Sequence, residues 1–178
     1  MKYVALLRGI NVTGHHIIKM EDLRKYFESF QLKNVQTYIQ SGNVVFDSSE
    51  NNANTLTKKI ESGLKKNLGY DVSVMLRTKT EMENVIENFP FKKLSEEKEK
   101  RVYIVFLSEE PVEEKKQVLL SCPSDVESYE IIGREVFILC EDKGYGKTKF
   151  NNGFIEKKLS LSATTRNWNT VNKILEMM

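Results

Sequence analysis

Hydrophobic positions change period along the chain, and each change marks an element. Tyr3 to Leu7 is apolar without interruption, the pattern of a central strand covered on both faces. Met20, Leu23, Phe27 and Phe30 then recur at helical spacing, and Glu21 and Asp22 suit the positive end of a helix dipole, which predicts a helix over Met20 to Leu32. Val35 to Gln40 alternates as a half-exposed strand does. Ser41-Gly42-Asn43 supplies residues that tolerate positive φ and turns the chain into Val44-Val45-Phe46. Leu56, Ile60, Leu64 and Leu68 give a second helix stopped by Gly69, and Val72 to Leu76 a fourth strand. A third helix opens at Thr80, with a capping box to Glu83, and ends before Pro90.

The same order then returns. Val102 to Leu107 is a second unbroken apolar strand, Pro111 starts a helix, and Val126 to Ile132 pairs with Glu135 to Cys140 around Gly133-Arg134. Phe150 to Leu159 is a helix, Leu161 to Thr164 a short strand, and Thr165 to Met178 a closing helix with Trp168, Val171, Leu175 and Met178 on one face. Periodicity aligns Thr78 with Thr164 and Met82 with Trp168. The fold class is therefore α+β, with duplicated ferredoxin-like (βαββαβ plus trailing helix) units. The first unit spans residues 1–90, a charged aperiodic linker 91–100, and the second unit with its closing helix 101–178.

Composition narrows the class of function. With 178 residues, 40% of them hydrophobic, the chain can bury a sizeable core. The apolar run before Arg8 is too short for a signal core or a membrane span, which points to a cytoplasmic protein with no membrane partner. Cys122 and Cys140 lack C-x-x-C spacing and nearby ligands, so they read as reduced thiols without disulfide, metal or cofactor. The net charge of +2 hides an asymmetry: residues 1–78, 79–142 and 143–178 carry +4, −7 and +5. Basic ends favour an anionic partner.

Three stretches, Leu6-Leu7-Arg8-Gly9-Ile10-Asn11-Val12, Thr37 to Phe46, and Thr164-Thr165-Arg166-Asn167-Trp168-Asn169-Thr170, together resemble the signature of a bacterial family, domain of unknown function 1697. The resemblance runs over nearly the whole chain. It implies a cytoplasmic α+β protein of duplicated ferredoxin-like units, and it brings no activity, cofactor or catalytic residue with it.

The residues themselves place the chemistry. In a ferredoxin-like unit the first two strands run the same way, so the loop after strand one and the turn after strand two share one edge of the sheet. That edge collects Arg8, Asn11, Ser41, Gly42 and Asn43, a guanidinium, carboxamides, a hydroxyl and glycine-freed amides of the kind that bind phosphate or carboxylate. The expected ligand is an anionic small molecule, a nucleotide or a nucleic acid. Arg166 and Asn167, read as the first turn of the closing helix, form a second candidate anion site.

Other motifs are weaker. Gly144-Tyr145-Gly146-Lys147-Thr148 ends like a phosphate-binding loop but has Glu141 where the first glycine belongs. His15 and His16 lack the further ligands that a metal needs, yet they are the proton acceptors that an enzyme at this edge would use, with Ser41 as nucleophile and Asp22 or Asp47 as orienter. Whether the protein is instead an enzyme, or a structural or partner-binding protein with no small-molecule site, and what oligomer it forms, stay open at this level. An RNA-binding platform lacks its stacking rings, since Tyr3 and Phe46 are the only aromatics near the two central strands.

Overall fold

The computed structural model describes residues 1–12, 17–92, 100–126, 128–141 and 148–178. The element order is β1 (Lys2–Leu7), α1 (Met20–Ser29), β2 (Lys33–Tyr38), β3 (Asn43–Asp47), α2 (Ala53–Leu68), β4 (Val74–Thr78), α3 (Lys79–Glu87), β5 (Lys100–Leu107), α4 (Glu113–Leu120), β6 (Ser128–Ile132), β7 (Glu135–Glu141), α5 (Asn152–Leu159), β8 (Ala163–Asn167) and α6 (Trp168–Met177). Two four-stranded sheets result, ordered β2-β3-β1-β4 and β6-β7-β5-β8, with every neighbouring pair antiparallel. This is the duplicated ferredoxin-like α+β fold read from the sequence.

Each sheet has one helix-covered face. In the first, Tyr3, Ala5, Leu7, Val44, Phe46, Val74 and Leu76 pack with Leu23 and Phe27 of α1 and Leu56, Ile60 and Leu64 of α2. In the second, Val105, Leu107, Val136, Ile138 and Ala163 pack with Leu119, Ile155 and Leu159. The opposite faces are buried too, through Val4, Leu6, Val45 and Met75 in one sheet and Ile104, Phe106, Phe137 and Leu139 in the other. Burial on both faces is why the two first strands show no alternation.

Matching bonds mark the duplication. Asn52 and Asn151 cap α2 and α5 by accepting from Thr55 N and Phe154 N at 3.0 and 3.1 Å. Glu61 and Glu156, on the same helices, accept from Val74 N and Ala163 N, both at 2.9 Å, and so tie each helix to the first residue of the last strand. Tyr3 stands opposite Thr78 on β4, and Tyr103 opposite Asn167 on β8.

That register corrects two expectations. Thr78 matches Asn167 rather than Thr164, a slip of three residues, which a pattern recurring every three or four positions cannot detect. Thr165 to Asn167 belong to β8, not to the closing helix, because pairing of Ile104 with Arg166 and Val105 with Thr165 holds them extended, where β-branched threonine is favoured. The capping box of α3 likewise lies two residues earlier than expected: Thr78 N donates to Glu81 Oε2 at 2.7 Å and Glu81 N to Thr78 Oγ1 at 3.2 Å. The sequence offers both Thr78-x-x-Glu81 and Thr80-x-x-Glu83, and the helix follows directly on the strand that Tyr3 holds as far as Thr78.

The chain forms two compact units, Met1–Glu83 with Lys173–Met178, and Asn84–Asn172. The expected linker at 91–100 falls mostly on 93–99, outside the described residues, and β5 already begins at Lys100. Asn84 to Phe91 group with the second unit, where the Phe89 ring lies 4.4 Å from that of Trp168 and 6.1 Å from that of Phe137.

The two cysteines are free thiols in different surroundings. Cys140 is buried in β7, and burial pushes its thiol up to about 11, whereas Cys122 is half-buried. At about pH 8, a colorimetric disulfide reagent should therefore titrate Cys122 in the native protein and Cys140 only after unfolding. Two rapidly reacting thiols would contradict the burial of β7.

Candidate functional site

Strand β1 delivers its last residues to the edge with the backbone fully engaged. Leu7 N donates to Gly42 O at 2.8 Å, and Arg8 N to Ser73 O at 2.9 Å. Arg8 therefore leaves the sheet with its main chain fixed between the turn before β3 and the approach to β4, and its side chain is half-exposed.

The loop that follows is shaped by left-handed backbone. Gly9 has φ 71° and Asn11 φ 53°, with the buried Ile10 between them as an anchor. Asn11 uses its whole carboxamide: Nδ2 donates to Ile18 O at 3.0 Å and Gln40 O at 2.9 Å, while Oδ1 accepts from Ile18 N at 2.7 Å. One side chain thus closes its own loop and clips it to the turn after β2.

The turn is equally tight. Ile39 and Gly42 have φ 46° and 77°. Asn43, fully buried at the start of β3, donates Nδ2 to Tyr38 O and to Ser41 Oγ, each at 3.0 Å. A Cβ on Gly42 would lie 2.8 Å from Leu7 Cβ and 2.9 Å from Ile10 Cδ1, so loop and turn approach as closely as glycine allows. Arg8, Asn11, Ser41, Gly42 and Asn43 are therefore brought together, in distinct roles. Asn11 and Asn43 shape the edge, and Arg8 and Ser41 are the half-exposed polar groups on it.

Arg166 and Asn167 belong to the second unit. Asn167 caps α6, accepting from Thr170 N at 2.8 Å. Arg166 is a buried strand residue, 6% exposed, whose Nη1 donates to Thr164 Oγ1 at 2.9 Å and Thr165 O at 2.8 Å, and desolvation pulls its guanidinium down to about 10. In the strand register Arg166 matches Arg77, also buried, whose Nη1 donates to Leu76 O at 2.9 Å. Sequence reading missed Arg77; the signal for it was the repeat, once set in its true register.

The other motifs contribute little. Thr13, Gly14, His15, His16 and residues 142–147, the phosphate-loop-like stretch among them, lie outside the described residues, and Thr148 behind it is half-exposed. Asp47 cannot orient a nucleophile at Ser41: it sits at the far end of β3, roughly 15 Å along the strand, and accepts from Asn34 Nδ2 at 2.6 Å. Among the described residues, no three or more His, Cys, Asp or Glu are grouped to hold a metal, and no helix is long and apolar enough to cross a membrane.

The family model described as protein of unknown function, DUF1697, matches residues 1–137. The chain belongs to the DUF1697 family. It is also similar to the solved structure of the conserved bacterial protein SP0830 from Streptococcus pneumoniae, at 25% identity and a TM-score of 0.79, over 99% of this chain and 97% of that one. No curated protein matches the chain.

Within this DUF1697 protein the duplication provides an internal comparison. Leu107 N donates to Arg134 O and Ser108 N to Ser162 O, each at 2.9 Å, repeating the bonds of Leu7 and Arg8. Ser108 thus stands where the first unit has Arg8, and Arg134 where it has Gly42. The connection from the first strand to the first helix occupies residues 8–19 in one unit and only 108–112 in the other, and the hairpin turn 39–42 shrinks to 133–134. Of the four left-handed residues at the first edge, the second keeps one, Gly133.

Proposed function

We propose that this DUF1697 protein is a cytoplasmic binding module that takes an anionic ligand, a nucleotide, a nucleic acid or a small phosphorylated or carboxylated molecule, at the edge of its first unit. Arg8 supplies the charge, Ser41 a hydroxyl, and the open backbone at Gly9 a close approach. Asn11 and Asn43 hold the two loops in place. Arg166 and Asn167 have no part in this reading, since one is buried in its strand and the other caps a helix.

The observation behind the proposal is the asymmetry of the duplication. Two units share strand register, caps and helix-to-strand bonds, yet at one edge of one unit both loops are longer, left-handed and clipped together, and a serine is exchanged for arginine. Fold stability does not require those additions, because the second unit forms the same sheet without them. Loops elaborated on a constant scaffold are where binding residues concentrate.

Calorimetric titration with inorganic phosphate, nucleotides and oligonucleotides tests the reading. Binding by the wild type should weaken by at least about tenfold in Arg8→Ala, the loss of one charge-assisted hydrogen bond, and less in Arg8→Lys. No binding of any of these anions, or equal binding by Arg8→Ala, would refute it.

A further inference from the structure

Ile39 is the feature of this edge that anion binding leaves unexplained. Its φ of 46° puts a β-branched side chain in the left-handed region, and the other non-glycine residues found there among the described residues are Asn, Gln and Ser. A backbone of this kind costs on the order of 1–3 kcal/mol and persists only where its surroundings impose it. Here Asn11 Nδ2 is bonded to Gln40 O, one residue on. The second unit meets the same need in its hairpin with Gly133.

The strain buries nothing. Ile39 is 49% exposed, and Val12 and Ile17, next in sequence to the Asn11 and Ile18 that these bonds join, are 53% and 75% exposed. Three exposed aliphatic residues thus flank the bonds that join the loop after β1 to the turn after β2. The second unit also exposes Val112 and Ile132 near its counterpart edge, with serine in place of Arg8 and with Arg134 in place of Gly42. Of the two edges, the first has a strained, exposed isoleucine where the second has Gly133.

We infer that the ligand of this edge is an amphipathic anion, a carboxylate or phosphate carried on an aliphatic chain, with its charged head on Arg8 and its chain against Ile39, Val12 and Ile17. The inference rests on the anion-binding reading above and specifies its ligand. A cation flanked by exposed aliphatic groups is complementary to a head and tail in one molecule. A bare phosphate would leave the apolar rim in water, and a nucleobase is better served by aromatic rings than by aliphatic ones.

Titration with inorganic phosphate and with ethyl, butyl and hexyl phosphate, all as free monomers, tests it. Affinity should rise with chain length, by up to about fourfold for each methylene that reaches the rim. Ile39→Gly should flatten that rise while leaving the thermal midpoint unchanged or higher, because glycine adopts this backbone without strain. Ile39→Asn, a second residue that tolerates the conformation, should behave alike and guards against an effect peculiar to glycine. Equal affinities across the series, or an undiminished rise in both variants, would overturn the amphipathic ligand while leaving anion binding at Arg8 intact. Absence of binding to every member, phosphate included, would overturn both. Sedimentation with phosphatidic acid vesicles separates the sources of such a head group: capture by vesicles without binding of soluble alkyl phosphates would transfer the site to a bilayer and overturn the free ligand.

Discussion

Gly42→Ala should lower the free energy of unfolding by about 3 kcal/mol, the sum of a left-handed Cβ penalty of roughly 1–2 kcal/mol and an overpacking cost of about 1–3 kcal/mol. The first term follows from φ 77°, the second from a Cβ placed 2.8 Å from Leu7 Cβ. Leu7 cannot move aside easily, because its Cβ is fixed to a central strand whose own amide is bonded to Gly42 O. Gly9→Ala is the control. Its φ of 71° is nearly the same, but a Cβ there meets nothing within 4 Å, so only the first term applies. Urea denaturation of both variants isolates the packing cost as the difference between them, and equal losses would show that loop and turn do not approach as described. Against a total stability of about 5–15 kcal/mol the loss is large, and it falls on the contact that assembles the candidate site.

How much of this was legible beforehand depended on which physical signal wrote it. Among the described residues, the eight strands and six helices were readable because burial on both faces leaves uninterrupted apolar runs in β1 and β5, and one-sided burial leaves a helical period in α1 and α2. The meeting of Arg8 and Asn11 with Ser41 to Asn43 followed from the direction of two strands alone. The boundary between β8 and α6 did not, because Thr164-Thr165-Arg166-Asn167 is as good a helix entrance as a strand, and the partner strand decides. The division of roles within the cluster was hidden for another reason. Asn and Arg look alike in sequence whether they face a ligand or a carbonyl, and only the bonds from Asn11 to Ile18 and Gln40 distinguish the two. The difference in loop length between the repeats could have been counted from the start, but it gained meaning only once the strands were paired and Arg8 was seen to match Ser108.

Phe46→Ala should cost about 3–5 kcal/mol, the range for an aromatic side chain removed from a closed core. Phe46 is fully buried on β3, with ring centroids 5.6 Å from Phe27 of α1 and 5.9 Å from Tyr3 of β1, so it joins the helix layer to the central strand. Collapse around the vacated space is limited, since Tyr3 is held by its hydroxyl donating to Glu50 O at 3.0 Å and Phe27 by its packing on α1. Phe46→Leu, which keeps most of the volume, should lose markedly less. The pair also separates stability from recognition. Phe46 lies three residues along β3 from Asn43, so any Phe46→Ala protein still folded at low temperature should keep the register that positions Asn43 and Gly42. Its apparent affinity for an anion should fall only by its folded fraction, whereas Arg8→Ala should lose more affinity than its folded fraction accounts for. Were Phe46→Ala to lose binding while fully folded, the edge would depend on the core more than its own bonds imply, and the clip from Asn11 to Gln40 would not suffice to hold it.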